Sequence, residues 1–441
     1  MISRIITLIY IIAFAVNAQV AITDITSTNL LGDKDNNGDY GGHGVMFADA
    51  DGDGDPDLYI TMNNHLRMSD QFFINNGIGV FTEDAVNRGV NDSDLISSPT
   101  DDYGSHGWVW ADLDNDGDFD GWNGSYSKNI PYRNRNDQAG YFEDFFASSG
   151  IENVIYFTRG VVAFDYDNDG DLDLFANNWY SDGFEQENEF YRNNGDMTFT
   201  RIDNGLTNSK GEQGVCAGDF DNDGDIDLLI SVFVSNPLPQ RCVEIWENVN
   251  GQFVQLPNHG GIDLCERADG STFWDMNNDG WLDVVSGHKI FLNNKDKTFS
   301  EVLNIPGLVF MRGIADLNND GYWDMVTPGS DEVGITPKVY INNGDLTFNE
   351  ISYSAGTIAD PRSIAFADID GDGDVDFALG QKEAHNRLYR NDYSGSNRYL
   401  FVKLKTAENQ VGAYGAKVSI YTPTGDTLLS LQQHRLQAGC I

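Results

Sequence analysis

The sequence predicts an all-β fold: a seven-bladed β-propeller followed by a short, incomplete C-terminal β-domain. Three observations lead there. A nine-residue acidic loop recurs seven times, beginning at Asp49, Asp112, Asp165, Asp219, Asp275, Asp316 and Asp368. The intervals are 63, 53, 54, 56, 41 and 52 residues, the period of a repeat array and not of separate domains. Around every loop the same apolar runs return in the same order, four strand-length segments per unit, which describes propeller blades.

Each element has its own signal. An apolar run such as Gly44-Val-Met-Phe-Ala enters the loop, and a second such as Asp57-Leu-Tyr-Ile-Thr leaves it. The third strand ends in an Asn-rich turn, as in Phe72-Phe-Ile-Asn-Asn-Gly, Phe190-Tyr-Arg-Asn-Asn-Gly and Val339-Tyr-Ile-Asn-Asn-Gly. Asn-Gly is a strong hairpin signal because both residues tolerate positive φ. The fourth strand opens at Phe81, Phe142, Phe199, Phe253, Phe299 or Phe348. The seventh unit lacks that Phe-led strand. The orphan segment Ala21-Ile-Thr-Asp-Ile-Thr supplies it, so the N-terminal strand is expected to complete the last blade and remove a free sheet edge. The long first interval reflects a polar insertion around Asn91–Asp102, expected to be a surface loop. Asp33–Asp39 imitates the acidic loop but has Gly41 at the ninth position, so it is expected to be a turn. After Ser396 the pattern changes to a strand at Arg398 and a hairpin, Lys417-Val-Ser-Ile-Tyr and Thr427-Leu-Leu-Ser-Leu, around Pro423-Thr-Gly-Asp.

The loops carry oxygen ligands at alternate positions and Gly at the sixth. The expected metal ligands are Asp49, Asp51, Asp53, Asp55 and Asp57; Asp112, Asp114, Asp116, Asp118 and Asp120; Asp165, Asp167, Asp169, Asp171 and Asp173; and Asp219, Asp221, Asp223, Asp225 and Asp227. The remaining loops give Asp275, Asn277, Asp279, Trp281 and Asp283; Asp316, Asn318, Asp320, Tyr322 and Asp324; and Asp368, Asp370, Asp372, Asp374 and Asp376. Hard Ca²⁺ takes six to eight oxygens at about 2.3–2.6 Å, and a tight loop can converge alternate side chains on one point. Trp281 and Tyr322 would contribute backbone carbonyls. The ligand order is that of an EF-hand, but no Glu stands at position 12 and the flanks read as strands. Up to seven Ca²⁺ are expected.

The net charge is −42, and the loops hold 31 of the 69 acidic residues. Seven divalent ions would cancel about a third of it. The remainder argues against nucleic acid or an anionic membrane as partner. Arg4, the apolar run Ile5–Val16 and Val16-Asn17-Ala18 form a signal-peptide pattern, with cleavage expected near Ala18. The run is too short to span a bilayer. The expected divisions are a signal peptide at 1–18, the propeller at 19–395 and the tail domain at 396–441. An exported chain permits disulfides. Cys242 and Cys265 flank one strand-and-turn unit and could pair, whereas Cys216 lies inside an apolar strand.

No nucleophile elbow, His-Glu-x-x-His, phosphate loop or dinucleotide fingerprint is present, so no catalytic residue is assigned. One constellation remains. Six residues before each loop stand His43, His106, Arg159, Gln213, Asp269, Phe310 and Arg362, with Gly next in five cases and Arg312 two residues beyond Phe310. These positions are expected at the opposite end of the inner strands, around the mouth of the central channel. Apart from Phe310 they are the candidate ligand-binding residues; polar side chains filling a wet rim is the alternative. The eight Trp residues are expected mainly between blades.

The repeats resemble the FG-GAP/VCBS type of integrin alpha-chain propellers and bacterial secreted proteins, over about Ala21 to Asn391. The tail, Asn397-Arg-Tyr-Leu…Asn409-Gln-Val-Gly412-Ala-Tyr-Gly415-Ala416-Lys-Val, resembles the start of the ASPIC/UnbV domain. The combination is similar to the cartilage acidic protein family, which implies a secreted calcium-binding propeller without an established catalytic activity. That family's domain continues through a further Gly-rich strand, whereas this chain stops at Ile441, so the expectation is a fragment or an incomplete domain. The expected function is binding or adhesion to an extracellular protein or glycan. The alternatives are an exported polysaccharide lyase, with His43, His106, Arg159 and Arg362 as base and carboxylate-neutralising groups, and a purely structural module.

Overall fold

The computed structural model of the protein describes residues 19–26, 42–62, 69–91, 104–135, 137–179, 186–206, 212–234, 240–262, 270–304, 313–329, 336–397, 417–421 and 427–432. Seven four-stranded antiparallel sheets stand around a ring as propeller blades. The first strands of the blades are Gly42–Ala48, Ser105–Ala111, Thr158–Phe164, Glu212–Gly218, Thr272–Trp274, Gly313–Ala315 and Pro361–Ala367. First strands of neighbouring blades pack on one another in six of the seven pairs, the seventh against the first included, so they form the hub.

The ring closes through the N-terminus. Ile22–Asp24 pairs antiparallel with Arg387–Asn391, Ile22 opposite Asn391 and Asp24 opposite Tyr389. The chain's first described strand is therefore the outer strand of its last blade, as the orphan segment predicted. An ion pair at 3.2 Å between Arg387 and Asp24 reinforces the seam.

The core lies between blades. Tyr59 and Phe72 of the first blade share one cluster with Trp108, Trp110 and Tyr132 of the second. Tyr59 stacks on Trp108 with ring centres 3.9 Å apart. Burying one such ring removes about 150–250 Å² from water, roughly 4–6 kcal/mol of gross transfer free energy. Trp108, Trp110 and Trp122 are fully buried, and Trp274 meets Trp323 of the next blade edge-on. Small residues permit the closest approach: a Cβ on Gly121 would lie 2.0 Å from the Trp108 ring.

Two fourth strands begin earlier than their Phe. The second blade's runs Gln138–Asp144 and the fourth's Gln252–Gln255, because each hairpin turn is short enough to start pairing before the aromatic residue. The tail hairpin forms between Lys417–Tyr421 and Thr427–Gln432. Cys216 is free and buried, and Cys242 is disulfide-bonded. Cys265, the leader segment, most of the 91–102 insertion, the 33–39 turn and the strand expected at Arg398 lie outside the described residues.

Candidate metal centres and the hub

Five of the seven acidic loops share the hydrogen bonds of their first Asp. In the loop at Asp165, Oδ1 of that first Asp accepts from the Asp169 amide at 3.1 Å and Oδ2 from the Gly170 amide at 3.0 Å. The same pair recurs at Asp112, Asp219, Asp275 and Asp316. The reversal occurs at position 4 as well as at the sixth-position Gly. Asn115, Asn168, Asn222, Asn278 and Asn319 all sit at positive φ of 54–60°, and Gly52 and Gly371 take their place in the other two loops. Only Gly and Asn enter that region cheaply.

The position-4 Asn also ties each loop to the next. Asn115 Nδ2 donates to Asp171 Oδ1 at 2.6 Å and Asn168 Nδ2 to Asp225 Oδ1 at 2.8 Å. Asn222 and Asn278 reach the carbonyls of Gly280 and Gly321, and Asn319 reaches both Gly373 O and Asp374 Oδ1. Loops two to seven thus form a hydrogen-bonded chain.

The ninth Asp holds the frame. In all seven loops its Oδ2 accepts from the amide of loop position 2. Its Oδ1 accepts from the amide of the first Asn in the Asn-rich turn: Asn75, Asn134, Asn193, Asn248, Asn293, Asn342 or Asn391. That Asn in turn bolts blades together. In six blades its Nδ2 donates at 2.8–2.9 Å to the position-2 carbonyl of the preceding blade's loop, as from Asn193 to Leu113 and from Asn75 to Ile369. The sequence reads these residues as turn formers; the first Asn of the pair is an inter-blade clamp.

Burial raises the ninth carboxyl despite its two amide donors: to about 8 at Asp57, Asp173, Asp283, Asp324 and Asp376 and about 9 at Asp227. Asp120 is also pushed well up by the same cause. Burial, with neighbouring carboxylates adding to it, also raises Asp118 to about 7 and Asp374 to about 6. Such crowding calls for a cation. Carboxylate oxygens of positions 1, 3 and 9 lie within 4.8 Å of one another in the loops at Asp112, Asp165 and Asp219, as do positions 1, 3 and 5 at Asp49. Oxygens bound at about 2.3–2.6 Å to one ion span up to about 5 Å, so these clusters can hold a metal ion. Buried Oδ1 atoms of Asp51, Asp114 and Asp370, all at position 3, have no hydrogen-bond partner. Basic side chains approach the same position from neighbouring hairpins, Arg133 at 3.1 Å from Asp114 and Lys297 at 2.7 Å from Asp221. The donors are hard oxygens, the set that suits Ca²⁺.

At the other end of the inner strands, backbone bulges set the side chains. The register skips Arg159 between Thr158 and Gly160, His106 between Ser105 and Gly107, Gln213 between Glu212 and Gly214, and Arg362 between Pro361 and Ser363. In the first blade it shifts across His43 and Gly44. A bulge re-aims a side chain relative to the pleat. The following Gly lets inner strands close up: a Cβ on Gly44 would meet Thr61 Oγ1 at 2.9 Å and the His106 carbonyl at 3.0 Å.

Four of the sequence-predicted hub residues come together. His43 and His106 have ring centres 4.0 Å apart. His106 stacks on Tyr126 at 4.2 Å, and the Arg159 guanidinium lies over Tyr126 and Trp179, 4.5 Å from the latter's centre. Arg362 is ion-paired with Asp360. Burial, and then the charges of Arg159, Arg362 and Lys382, hold both imidazoles well below the usual histidine range, so both are neutral; His43 adds to the effect on His106. Lys382, Tyr126 and Trp179 were not anticipated here, although each stands six residues after the ninth Asp of its loop, just past the second strand, a spacing that could have found them. The side chain of Gln213 and residues Asp269 and Arg312 lie outside what the structure describes.

The FG-GAP-like repeat family matches residues 165–230 and 316–379, each match starting at the first Asp of a loop and running into the strands beyond it. The chain is a seven-bladed propeller that carries FG-GAP-like repeats. Cartilage acidic protein 1 of Xenopus tropicalis is 27% identical to this chain over 166 residues, 36% of this chain and 25% of that one. The match therefore spans a quarter of the relative's length. Among solved structures, an extracellular domain described as that of a hybrid two component system from B. thetaiotaomicron aligns with 90% of the chain and 45% of its own length, at 12% identity and a TM-score of 0.46. An exo-β-1,3-galactanase from Clostridium thermocellum aligns with 86% of the chain and 98% of its own, at 12% identity and a TM-score of 0.36. Neither likeness is close enough to bear on function. Among the described residues no helix is long and apolar enough to cross a membrane.

Proposed function

We propose that this protein is an exported, calcium-stabilised binding module that takes an extracellular protein or glycan ligand at the hub, with up to seven Ca²⁺ in the acidic loops. The observation that carries this reading is the division of labour between the two ends of the inner strands. All seven loops repeat the hydrogen bonds of the ninth Asp, and five repeat those of the first, which suits a stabilising device. The bulged residues at the other end run His43, His106, Arg159, Gln213 and Arg362 and share no chemistry that packing would demand. A varied, locally basic end on a chain of net charge −42 suits recognition of an acidic partner. The signal-peptide pattern supports export, where calcium is abundant enough to fill moderate-affinity sites.

The test is thermal unfolding with and without metal. An ion bound only by the folded state stabilises it by mass action, about 4 kcal/mol at a thousandfold excess over Kd for each site. Excess chelator is expected to lower Tm by many degrees, calcium to restore it, and magnesium to restore it poorly because it demands a smaller octahedral site. An unchanged melting curve in chelator would sink the calcium part of the reading. A second reading, an exported polysaccharide lyase, is favoured by neutral imidazoles beside arginines that can neutralise a carboxylate. Release of unsaturated products from acidic polysaccharides would distinguish it.

A further inference from the structure

We infer that the His43–His106 hub is a receptor site for a small organic carboxylate. The inference deepens the binding-module reading and rests on it. Five polar atoms there are buried and have no hydrogen-bond partner: Nδ1 of His43, both ring nitrogens of His106, and Nε of Arg159 and of Arg362. Both histidines are 2% exposed. A buried polar group left unpaired costs about 1–3 kcal/mol, so five in one place mark a gap that a ligand would fill.

The chemistry of the gap selects its occupant. Arginine Nε is a donor only, and a neutral imidazole offers one N–H. His43 already bonds the His106 backbone, so its unpaired Nδ1 and one nitrogen of His106 are acceptors, and the missing partner must accept up to three hydrogen bonds, from the two Nε groups and the one N–H of His106. It must also be negative, since Arg159, Arg362 and Lys382 all act on the two imidazoles and Asp360 is the carboxylate paired to Arg362. A transition metal would suit vacant imidazole nitrogens, but those three cations oppose it. A carboxylate offers two coplanar oxygens, matches a guanidinium edge and is small enough to reach side chains this enclosed. The bulges make the site a built one. The register skips His106, Arg159 and Arg362 and shifts across His43, which turns residues of three consecutive blades and the seventh toward the hub.

The experiment is calorimetric titration of the calcium-loaded full chain with glucuronate, succinate, glucose and sulfate. Binding of glucuronate or succinate, with glucose weaker by about tenfold or more, is expected, since hydrogen bonds to charged groups are worth about 1.5–3 kcal/mol. Preference between the two acids tells whether a sugar or a plain dicarboxylate is the better source. The double variant Arg159→Gln, Arg362→Gln is expected to lose about tenfold or more in affinity for the preferred acid while keeping its calcium-dependent melting curve. Should the variant fail to fold, the wild-type comparison of acid with glucose decides alone. No binding of either acid, equal binding of glucose, sulfate binding as well as the acids, or full affinity in a folded double variant would each overturn the inference. Calcium-dependent stability is measured separately, so failure here leaves the reading of the metal loops standing.

Discussion

Replacing Asn193 by Ala separates a turn signal from an inter-blade clamp. The Asn193 side chain donates to Leu113 O of the preceding blade at 2.8 Å and to Leu172 O of its own loop at 3.0 Å, and accepts from the Gly195 amide at 3.0 Å. Its neighbour Asn194 donates to Thr198 O and Oγ1 at 3.0 Å, in solvent. Ala at 193 keeps the backbone amide that binds Asp173 but strands two buried carbonyls. At about 1–3 kcal/mol for each unsatisfied group, less some relief by entering water, the loss is about 3 kcal/mol. Asn194→Ala removes exposed bonds only and is expected to cost under about 1 kcal/mol. Urea unfolding in saturating calcium, followed by tryptophan fluorescence, measures both. If Asn193→Ala costs less than about 1 kcal/mol, or Asn194→Ala costs as much, the clamp is not the residue's main role.

Two further outcomes follow from the same geometry. In metal-free protein the ninth carboxyls, raised by burial to about 8 at Asp57, Asp173, Asp283, Asp324 and Asp376, bind protons more tightly folded than unfolded. Their contribution is fully present below the unfolded carboxyl range and is lost as pH rises through about 8, so metal-free stability is expected to fall between pH 5 and pH 8. Calcium needs the carboxylates deprotonated, so the gain in Tm on adding calcium should grow over that window; parallel Tm profiles with and without calcium would contradict the assignment. Deleting residues 19–26 removes the strand that closes the seventh blade. The exposed edge at Arg387–Asn391 is expected to lower the unfolding midpoint and promote self-association, measured by light scattering, whereas a monomer of unchanged stability would show the seam to be dispensable.

The repeat architecture was legible because it is written many times over. Seven acidic loops in register, the Phe-led strands and the orphan strand at Ala21 are local patterns, and local patterns survive in sequence. The division of labour inside the loop was less legible. Asp173 reads as a ninth metal ligand, and its two amide bonds to Tyr166 and Asn193 appear only when the loop is folded against the third strand. Asn115 and its counterparts did carry a signal, an αL-tolerant residue before Asp-Gly, but their reach to the next loop depends on the ring. At the hub, counting back from each loop found His43, His106, Arg159 and Arg362. It missed Lys382, Tyr126 and Trp179, each six residues after the ninth Asp of its loop, because the count ran only backwards from the loops.

Counting bound metal decides whether the acidic loops are calcium sites. Protein stripped of metal and dialysed against saturating calcium should carry close to seven ions per chain by atomic emission. The loops at Asp275 and Asp316, with three acids in place of five, should fill last in a titration because fewer charges bind calcium more weakly at similar rigidity. Fewer than about two ions per chain at saturating calcium, or equal filling of all loops when calcium is limiting, would contradict the account.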